Sequence, residues 1–155
     1  GVPLKIAFPH LEACLLDSLK KRVNFLEETF ALLKLQNITA IHGRAEEFAK
    51  NKSYRETYDL CVSRAVSNLA TLSEYCLPYV KVGGKFISYK SGTVQEEAEQ
   101  AEKAVRILGG KIQDVVYFNL PDSEIQRSLV VIEKIKPTPG KYPRKAGTPL
   151  KEPLS

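Results

Sequence analysis

The chain has 155 residues, of which 43% are apolar and 26% are charged, and its net charge is +5 at pH 7. These values are ordinary for one globular domain that is long enough to bury a core, and the modest positive charge weakly favours a polyanionic partner. A membrane-spanning helix is excluded, because no apolar run in the sequence approaches the required length of about 20 residues. A disulfide framework or a zinc site is also excluded, because the three cysteines, Cys14, Cys61 and Cys76, are an odd number at wide spacing.

The first half of the chain alternates short apolar runs with helical patterns, which is typical of βαβ units and a parallel sheet. The predicted elements are the end of a helix at 4–8, a strand at 13–16, an amphipathic helix at 19–35, a strand at 38–41 and a short helix at 45–50. The long helix is predicted from apolar residues that recur every three or four positions. Asp17 and Ser18 directly before it offer an N-cap.

The second half continues the alternation and then changes character. The predicted elements are a strand at 58–62, a helix at 69–77, a turn at Gly83 and Gly84, a strand at 85–89, a helix at 94–108 and strands at 112–120 and 128–135. No helix separates the last two strands, so they should form an antiparallel pair. From Pro137 the chain is basic and rich in Pro and Gly. We therefore predict a core at 1–136 and an appended basic, Pro-rich tail at 137–155.

Polar residues follow three of the predicted strands, and parallel strands bring such ends to one edge, where open α/β sheets bind ligands. Asp17 could accept hydrogen bonds from the hydroxyls of a ribose, or act as a plain helix N-cap. Ala45 and Glu46 follow the next strand and suit an adenine edge, or simply a helix start with acids near its N-terminus. Arg64 could pair with a ligand carboxylate, with Glu46 or with RNA phosphate, or form a structural ion pair.

The remaining candidates are cationic or isolated. Lys90 ends a predicted strand, and the alternative is a solvated strand end. The tail carries four cations suited to a polyanion such as RNA, although a solvated tail without a partner has the same composition. These are Lys141, Arg144, Lys145 and Lys151. Tyr142 could stack on a base or pack on the domain. The two histidines lack metal-ligand spacing, so no metal site is predicted.

Five short motifs together resemble the bacterial glucose-inhibited division protein B family over nearly the whole chain. They are GVPLKIA at 1–7, LDSLKKR at 16–22, HGRAEEF at 42–48, SRAV at 63–66 and YPRKAGTPLKEPL at 142–154. The resemblance implies a class I S-adenosylmethionine-dependent methyltransferase with a Rossmann-like α/β sheet, which methylates a guanine N7 of 16S ribosomal RNA. Guanine N7 carries a free lone pair, so the reaction needs alignment and no general base. No catalytic residue is therefore assigned.

The resemblance also implies roles for individual residues. Asp17, Ala45, Glu46 and Arg64 match positions that bind S-adenosylmethionine. Lys90 lies near the substrate and is therefore predicted to bind RNA. The expected partner is 16S ribosomal RNA in the small ribosomal subunit, bound also by the tail, and the expected state is a cytoplasmic monomer. The alternatives are a small-molecule methyltransferase and an RNA-binding module without activity.

The start of the chain carries one further expectation. In the family, a strand and a Gly-rich loop precede the segment that matches residues 1–3. We therefore expect an N-terminally truncated chain, with its sheet interrupted where the central strand belongs. Such a chain should bind S-adenosylmethionine poorly by itself.

Overall fold

The computed structural model describes residues 1–64 and 67–155, so Ala65 and Val66 of the predicted motif at 63–66 lie outside the described residues. The chain forms two compact units, Gly1–Glu47 and Phe48–Ser155. The predicted division at residue 136 does not coincide with this boundary. Within the described ranges there are six strands, as predicted, and they form two sheets of two and four strands. No helix in those ranges has both the length and the apolar character needed to cross a membrane.

The first unit is built around two parallel strands. Its elements are helix α1 (Val2–Ala7), strand β1 (Ala13–Asp17), helix α2 (Lys20–Leu32), strand β2 (Ile38–His42) and the start of helix α3 (Ala45–Phe48). The two strands are in register from Ala13 opposite Ile38 to Asp17 opposite His42. Helix α2 packs against both strands, and Val23 and Phe30 are its buried residues.

The ends of α2 differ from the prediction, and the backbone explains both differences. Leu19, and not Asp17 or Ser18, holds the N-cap position, because Asp17 is still extended as the last residue of β1. The helix ends before the predicted residue 35, because Lys34 has a left-handed backbone with a φ of 52°. A left-handed residue cannot continue a right-handed helix.

The second unit contains the four-stranded sheet and the helices that cover it. Its elements are β3 (Tyr58–Arg64), α4 (Leu69–Cys76), a 3₁₀ turn (Leu77–Tyr79), β4 (Val80–Ser91), α5 (Gln95–Ile107), β5 (Gly110–Asn119), β6 (Gln126–Lys134) and α6 (Thr148–Lys151). The strand order is β3-β4-β6-β5, with β3 and β4 parallel. Strands β5 and β6 are antiparallel neighbours, which confirms that prediction.

The turn predicted at Gly83 and Gly84 is wrong, because β4 continues through both glycines. The pairing with β3 jumps from Tyr58 opposite Val80 to Leu60 opposite Lys85, so extra residues of β4 bulge out of the ladder. Gly83 has a φ of 87°, and a Cβ on Gly84 would lie 2.6 Å from a backbone oxygen of β3. The two glycines therefore permit a bulge and not a reversal.

One face of this sheet forms the core of the second unit. Phe86 of β4 and Val130 and Ile132 of β6 are fully buried, in a cluster with residues of α4 and α5. Burial along β6 alternates with a period of two, as expected for a strand with only one face on the core. On the other face Leu60 and Val116 are 46% and 41% exposed.

The tail, residues 137–155, is not the appendage that we predicted. Tyr142 is buried within the core cluster, which confirms that its ring packs on the domain, and Pro149 is also buried. The Arg55 guanidinium donates hydrogen bonds to the carbonyl oxygens of Thr138 at 2.7 Å and Tyr142 at 2.9 Å. Composition alone could not reveal this docking, because a Pro-rich segment that cannot form a helix can still offer backbone carbonyls to a partly buried cation.

A buried lysine fixes the start of the tail. Lys134 has no exposed surface, and its Nζ donates to the Leu77 carbonyl at 2.7 Å and to the Thr138 hydroxyl. Glu56 lies 3.2 Å from this Nζ and accepts the Thr138 backbone N–H. Burial lowers the pKa of Lys134, while the carboxylate of Glu56 opposes that change.

Candidate functional site

The carboxyl ends of β1 and β2 place Asp17 beside the turn that leads into α3. Asp17 and His42 are opposite each other, and the Gly43 N–H donates to the Asp17 carbonyl at 3.0 Å. The Asp17 Oδ1 accepts the Leu19 N–H at 2.9 Å. Among the described residues, its Oδ2 has a long contact of 3.4 Å with Arg22, and the side chain is 25% exposed. An accessible carboxylate at a strand end fits the hydroxyls of a ribose.

The residues after β2 lie at the same edge of the two-stranded sheet. Ala45 is the first residue of α3 and is partly buried, whereas Glu46 is only 7% exposed. The first unit therefore brings Asp17 and the turn before Ala45 together, as the parallel pairing of two neighbouring strands requires. A small residue at this point leaves room for the close approach of a flat ring.

Arg64 belongs to the second unit and occupies the corresponding end of β3. It is the last residue of that strand, lies opposite Tyr89 of β4 and is exposed. Lys90 follows Tyr89, so both cations lie at the carboxyl edge of the parallel pair β3 and β4. In this way Arg64 has the strand-end position that the sequence predicted.

Lys90 is not the solvated strand end that we considered. Its side chain is 7% exposed, and its Nζ lies 2.6 Å from the Glu97 carboxylate and 2.9 Å from the Ser67 carbonyl. The same Glu97 oxygen accepts the Leu69 N–H at 2.7 Å. Lys90 is thus engaged inside the protein, which disfavours the RNA contact predicted for it.

The four tail cations divide into two kinds. Lys141, Lys145 and Lys151 are exposed. Arg144 instead meets Glu74 of α4, whose side chain has no exposed surface. Glu74 accepts the Arg144 backbone N–H at 2.8 Å, Nε at 3.0 Å and Nη2 at 2.7 Å. These hydrogen bonds raise the pKa of Arg144, and they compete with the phosphate contact that we predicted for it.

The sequence reasoning missed the acidic partners of these cations. Glu74 interrupts the apolar helical stretch LATLSEYC, and an acid in such a stretch is buried only when a cation meets it. That signal was available, although it could not name Arg144 as the partner. Glu97 lies in the first turn of α5, where an acid is also explained by the helix dipole, so its position carried no comparable signal.

Solved structures with the same architecture define the class of fold. The chain resembles M. jannaschii TYW2 in complex with AdoMet with a TM-score of 0.65 and 13% identity, over 86% of this chain and 63% of that one. It resembles the geranyl diphosphate C-methyltransferase from Streptomyces coelicolor A3(2) with a TM-score of 0.61 and 9% identity, over 86% and 67% of the two chains. The fold is that of a class I S-adenosylmethionine-dependent methyltransferase with a Rossmann-like α/β sheet, which confirms the predicted fold class.

The chain belongs to the GidB family, because its residues 1–130 match the family model described as rRNA small subunit methyltransferase G. It is 56% identical to the ribosomal RNA small subunit methyltransferase G of Lachnoclostridium phytofermentans, over 99% of this chain and 64% of that protein. It is 55% identical to the protein of the same name from Alkaliphilus oremlandii, again over 99% of this chain and 64% of the relative. The chain thus spans less than two thirds of the length of these relatives.

Proposed function

We propose that this protein transfers a methyl group from S-adenosylmethionine to a guanine N7 of 16S ribosomal RNA, in the cytoplasm and as a monomer on the small ribosomal subunit. The observation that carries the proposal is the match of residues 1–130 to the GidB family. Asp17 ends β1 and Ala45 follows β2 in the first unit, while Arg64 ends β3 in the second unit. These positions support the proposal, since open α/β sheets bind ligands at the carboxyl ends of their strands.

The residues fit the parts of the cofactor by their chemistry. The accessible carboxylate of Asp17 would accept hydrogen bonds from the two ribose hydroxyls. Ala45 and Glu46 would border the adenine ring, and Arg64 would pair with the carboxylate of the methionine part. When bound, S-adenosylmethionine supplies an electrophilic methyl group on a sulfonium.

The task of the chain itself would be to hold and align both substrates. Guanine N7 has no proton to lose, so no side chain is needed as a general base. The base must leave its stack to reach a pocket. The exposed lysines of the tail would hold the flanking RNA through its phosphates, which binds without reading sequence.

Replacement of Arg64 by alanine should weaken S-adenosylmethionine binding by about tenfold or more, because a charge-assisted hydrogen bond is lost. Calorimetric or NMR titration of this chain would measure the affinity, with Arg106→Ala as the control. Arg106 is an exposed cation on α5 whose partner is Glu102, so its loss should leave the affinity unchanged. Equal affinities for Arg64→Ala and the unmodified chain would remove Arg64 from the site. Transfer of labelled methyl groups to small subunits that lack the N7 methyl group tests the activity directly.

The tail lysines should contribute through the release of counterions. For single-stranded RNA, the logarithm of the binding constant falls linearly with the logarithm of the salt concentration. Each lost phosphate contact should reduce the magnitude of that slope by about 0.7. We therefore expect a graded fall in the slope from Lys145→Gln to the triple variant Lys141→Gln, Lys145→Gln and Lys151→Gln. Fluorescence anisotropy with a 16S ribosomal RNA fragment between about 50 and 200 mM salt measures it. A slope that does not change in the triple variant would place the RNA surface elsewhere.

A further inference from the structure

The tail contacts helix α4 at several points along its length. At one point Arg144 meets Glu74 through its backbone and its guanidinium. One turn earlier in the helix, the Thr71 hydroxyl donates to the Pro149 carbonyl at 3.0 Å, in a buried hydrogen bond. Leu154 packs against the core and lines a groove of about 200 Å³ at the start of the helix, together with Ala70 and Glu97.

The start of α4 is itself tied to the carboxyl edge of β4. The Asn68 side chain caps the helix by accepting the Thr71 N–H at 2.8 Å. The Glu97 carboxylate accepts a hydrogen bond from the backbone N–H of Leu69, the first residue of the helix. The Ser67 carbonyl accepts a hydrogen bond from Lys90 Nζ. Arg64 precedes Asn68 by four positions in the chain. Lys90 follows Tyr89, which lies opposite Arg64 in the pairing of β4 with β3. A rotation or shift of α4 would therefore disturb the contacts of Lys90 beside Arg64.

Two neighbouring cations of the tail have different environments. Lys145 is exposed, as expected for a side chain that meets solvent or phosphate. Arg144 makes several charge-assisted hydrogen bonds to one carboxylate that is shielded from solvent. A bidentate pair of this kind fixes geometry, unlike a single contact between exposed side chains. The geometry therefore suits Arg144 to fixing helix α4 in place, and not to binding a partner from solution.

We propose that the tail is a strap that fixes the position of α4, and through it the strand end that carries Arg64, with Arg144 as the positioning residue. The part that concerns Arg64 rests on the proposed function, because it assumes that Arg64 binds the cofactor. The strap differs from an RNA-binding arm in its effect. Loosening it should change the cofactor site of the folded protein, even when no RNA is present.

The test compares Arg144→Lys with Lys145→Gln in the complete 155-residue chain. Arg144→Lys keeps the charge and loses the forked geometry, so the chain should still fold. We expect hydrogen exchange at residues 67–72 to become about fivefold faster in this variant and to stay unchanged in Lys145→Gln. We also expect its dissociation constant for S-adenosylmethionine to rise by about fivefold. Ile132→Val, a core change on β6, provides a control that lowers the melting temperature and leaves the pair of Arg144 and Glu74 in place.

The outcomes separate this inference from the proposed function. Unchanged exchange at residues 67–72 in Arg144→Lys would overturn the strap. Faster exchange with an unchanged dissociation constant would overturn the positioning role and leave the tail as a structural element only. A similar loss of affinity in Ile132→Val would do the same, since it would show a general effect of stability. If the unmodified chain binds no S-adenosylmethionine at millimolar concentration, the expectation that it binds poorly by itself is met. The link between the strap and Arg64 is then overturned for this chain, and hydrogen exchange alone decides whether the strap exists.

Discussion

Replacement of Arg144 by glutamine should lower the free energy of unfolding by about 3 kcal/mol, because it leaves the carboxylate of Glu74 buried without a cation. Removing one partner of a buried pair is costly because the remaining charge can neither find a counter-ion nor return to water. For a chain of this size, such a loss corresponds to a fall in melting temperature of about 10 °C. Chemical denaturation and thermal melting followed by circular dichroism would measure both quantities.

Two further variants identify the cause of that loss. Lys145→Gln removes the neighbouring exposed charge and should change stability by less than about 0.5 kcal/mol. The double variant Arg144→Gln with Glu74→Gln should be more stable than Arg144→Gln alone, because no buried charge remains. If Arg144→Gln were as stable as Lys145→Gln, the ion pair with Glu74 would not contribute to the folded state.

Replacement of Glu97 by alanine is the second large effect that we expect, with a loss of about 2–3 kcal/mol. The Glu97 carboxylate is 31% exposed, but its partner Lys90 is only 7% exposed, and the Leu69 N–H shares the same oxygen. The variant therefore leaves a largely buried ammonium group without its counter-ion and a helix N–H without its acceptor. Chemical denaturation should show this loss as a lower midpoint concentration of denaturant. The slope of unfolding free energy against denaturant concentration should not change.

Helix α5 offers a matched control for this change. Glu99 lies two positions further along the helix, is exposed and accepts a hydrogen bond from Gln95 four positions earlier. Glu99→Ala should cost only a few tenths of a kcal/mol, as is usual for such a surface pair. Equal losses in Glu97→Ala and Glu99→Ala would show that Lys90 does not depend on Glu97. Hydrogen exchange at Leu69 would then be unchanged as well.

The sequence predicted the order of the elements better than their limits. The alternation of apolar runs and helical patterns predicted all six strands within the described ranges, and the absence of a helix between β5 and β6 predicted their antiparallel pairing. Gly83 and Gly84 were misinterpreted because a Gly pair fits a turn and a bulge equally well. Only the pairing of β4 with β3 distinguishes the two, and that pairing is a tertiary feature.

For the charged residues of the candidate site, the sequence likewise predicted local positions better than tertiary partners. Asp17 and Arg64 were correctly placed at strand ends, because the position of a residue at a strand end is local information. Lys90 and Arg144 were assigned to RNA because their acidic partners, Glu97 and Glu74, were not recognised. Arg144 and Glu74 are 70 positions apart, and no local pattern predicts which buried acid a distant cation will meet.

The distances along the chain between the tail and its partners have a consequence for how the protein is made. Arg55 binds carbonyls 83 and 87 positions later, and Thr71 binds one 78 positions later. Synthesis proceeds from the N-terminus at about 5–20 residues per second, so Glu74 emerges several seconds before Arg144. During that interval α4 has no cation for its acid, and its carboxylate must stay in water. The helix can reach its final depth in the core only after Arg144 has been translated, so the packing of α4 waits for a residue 70 positions later in the chain.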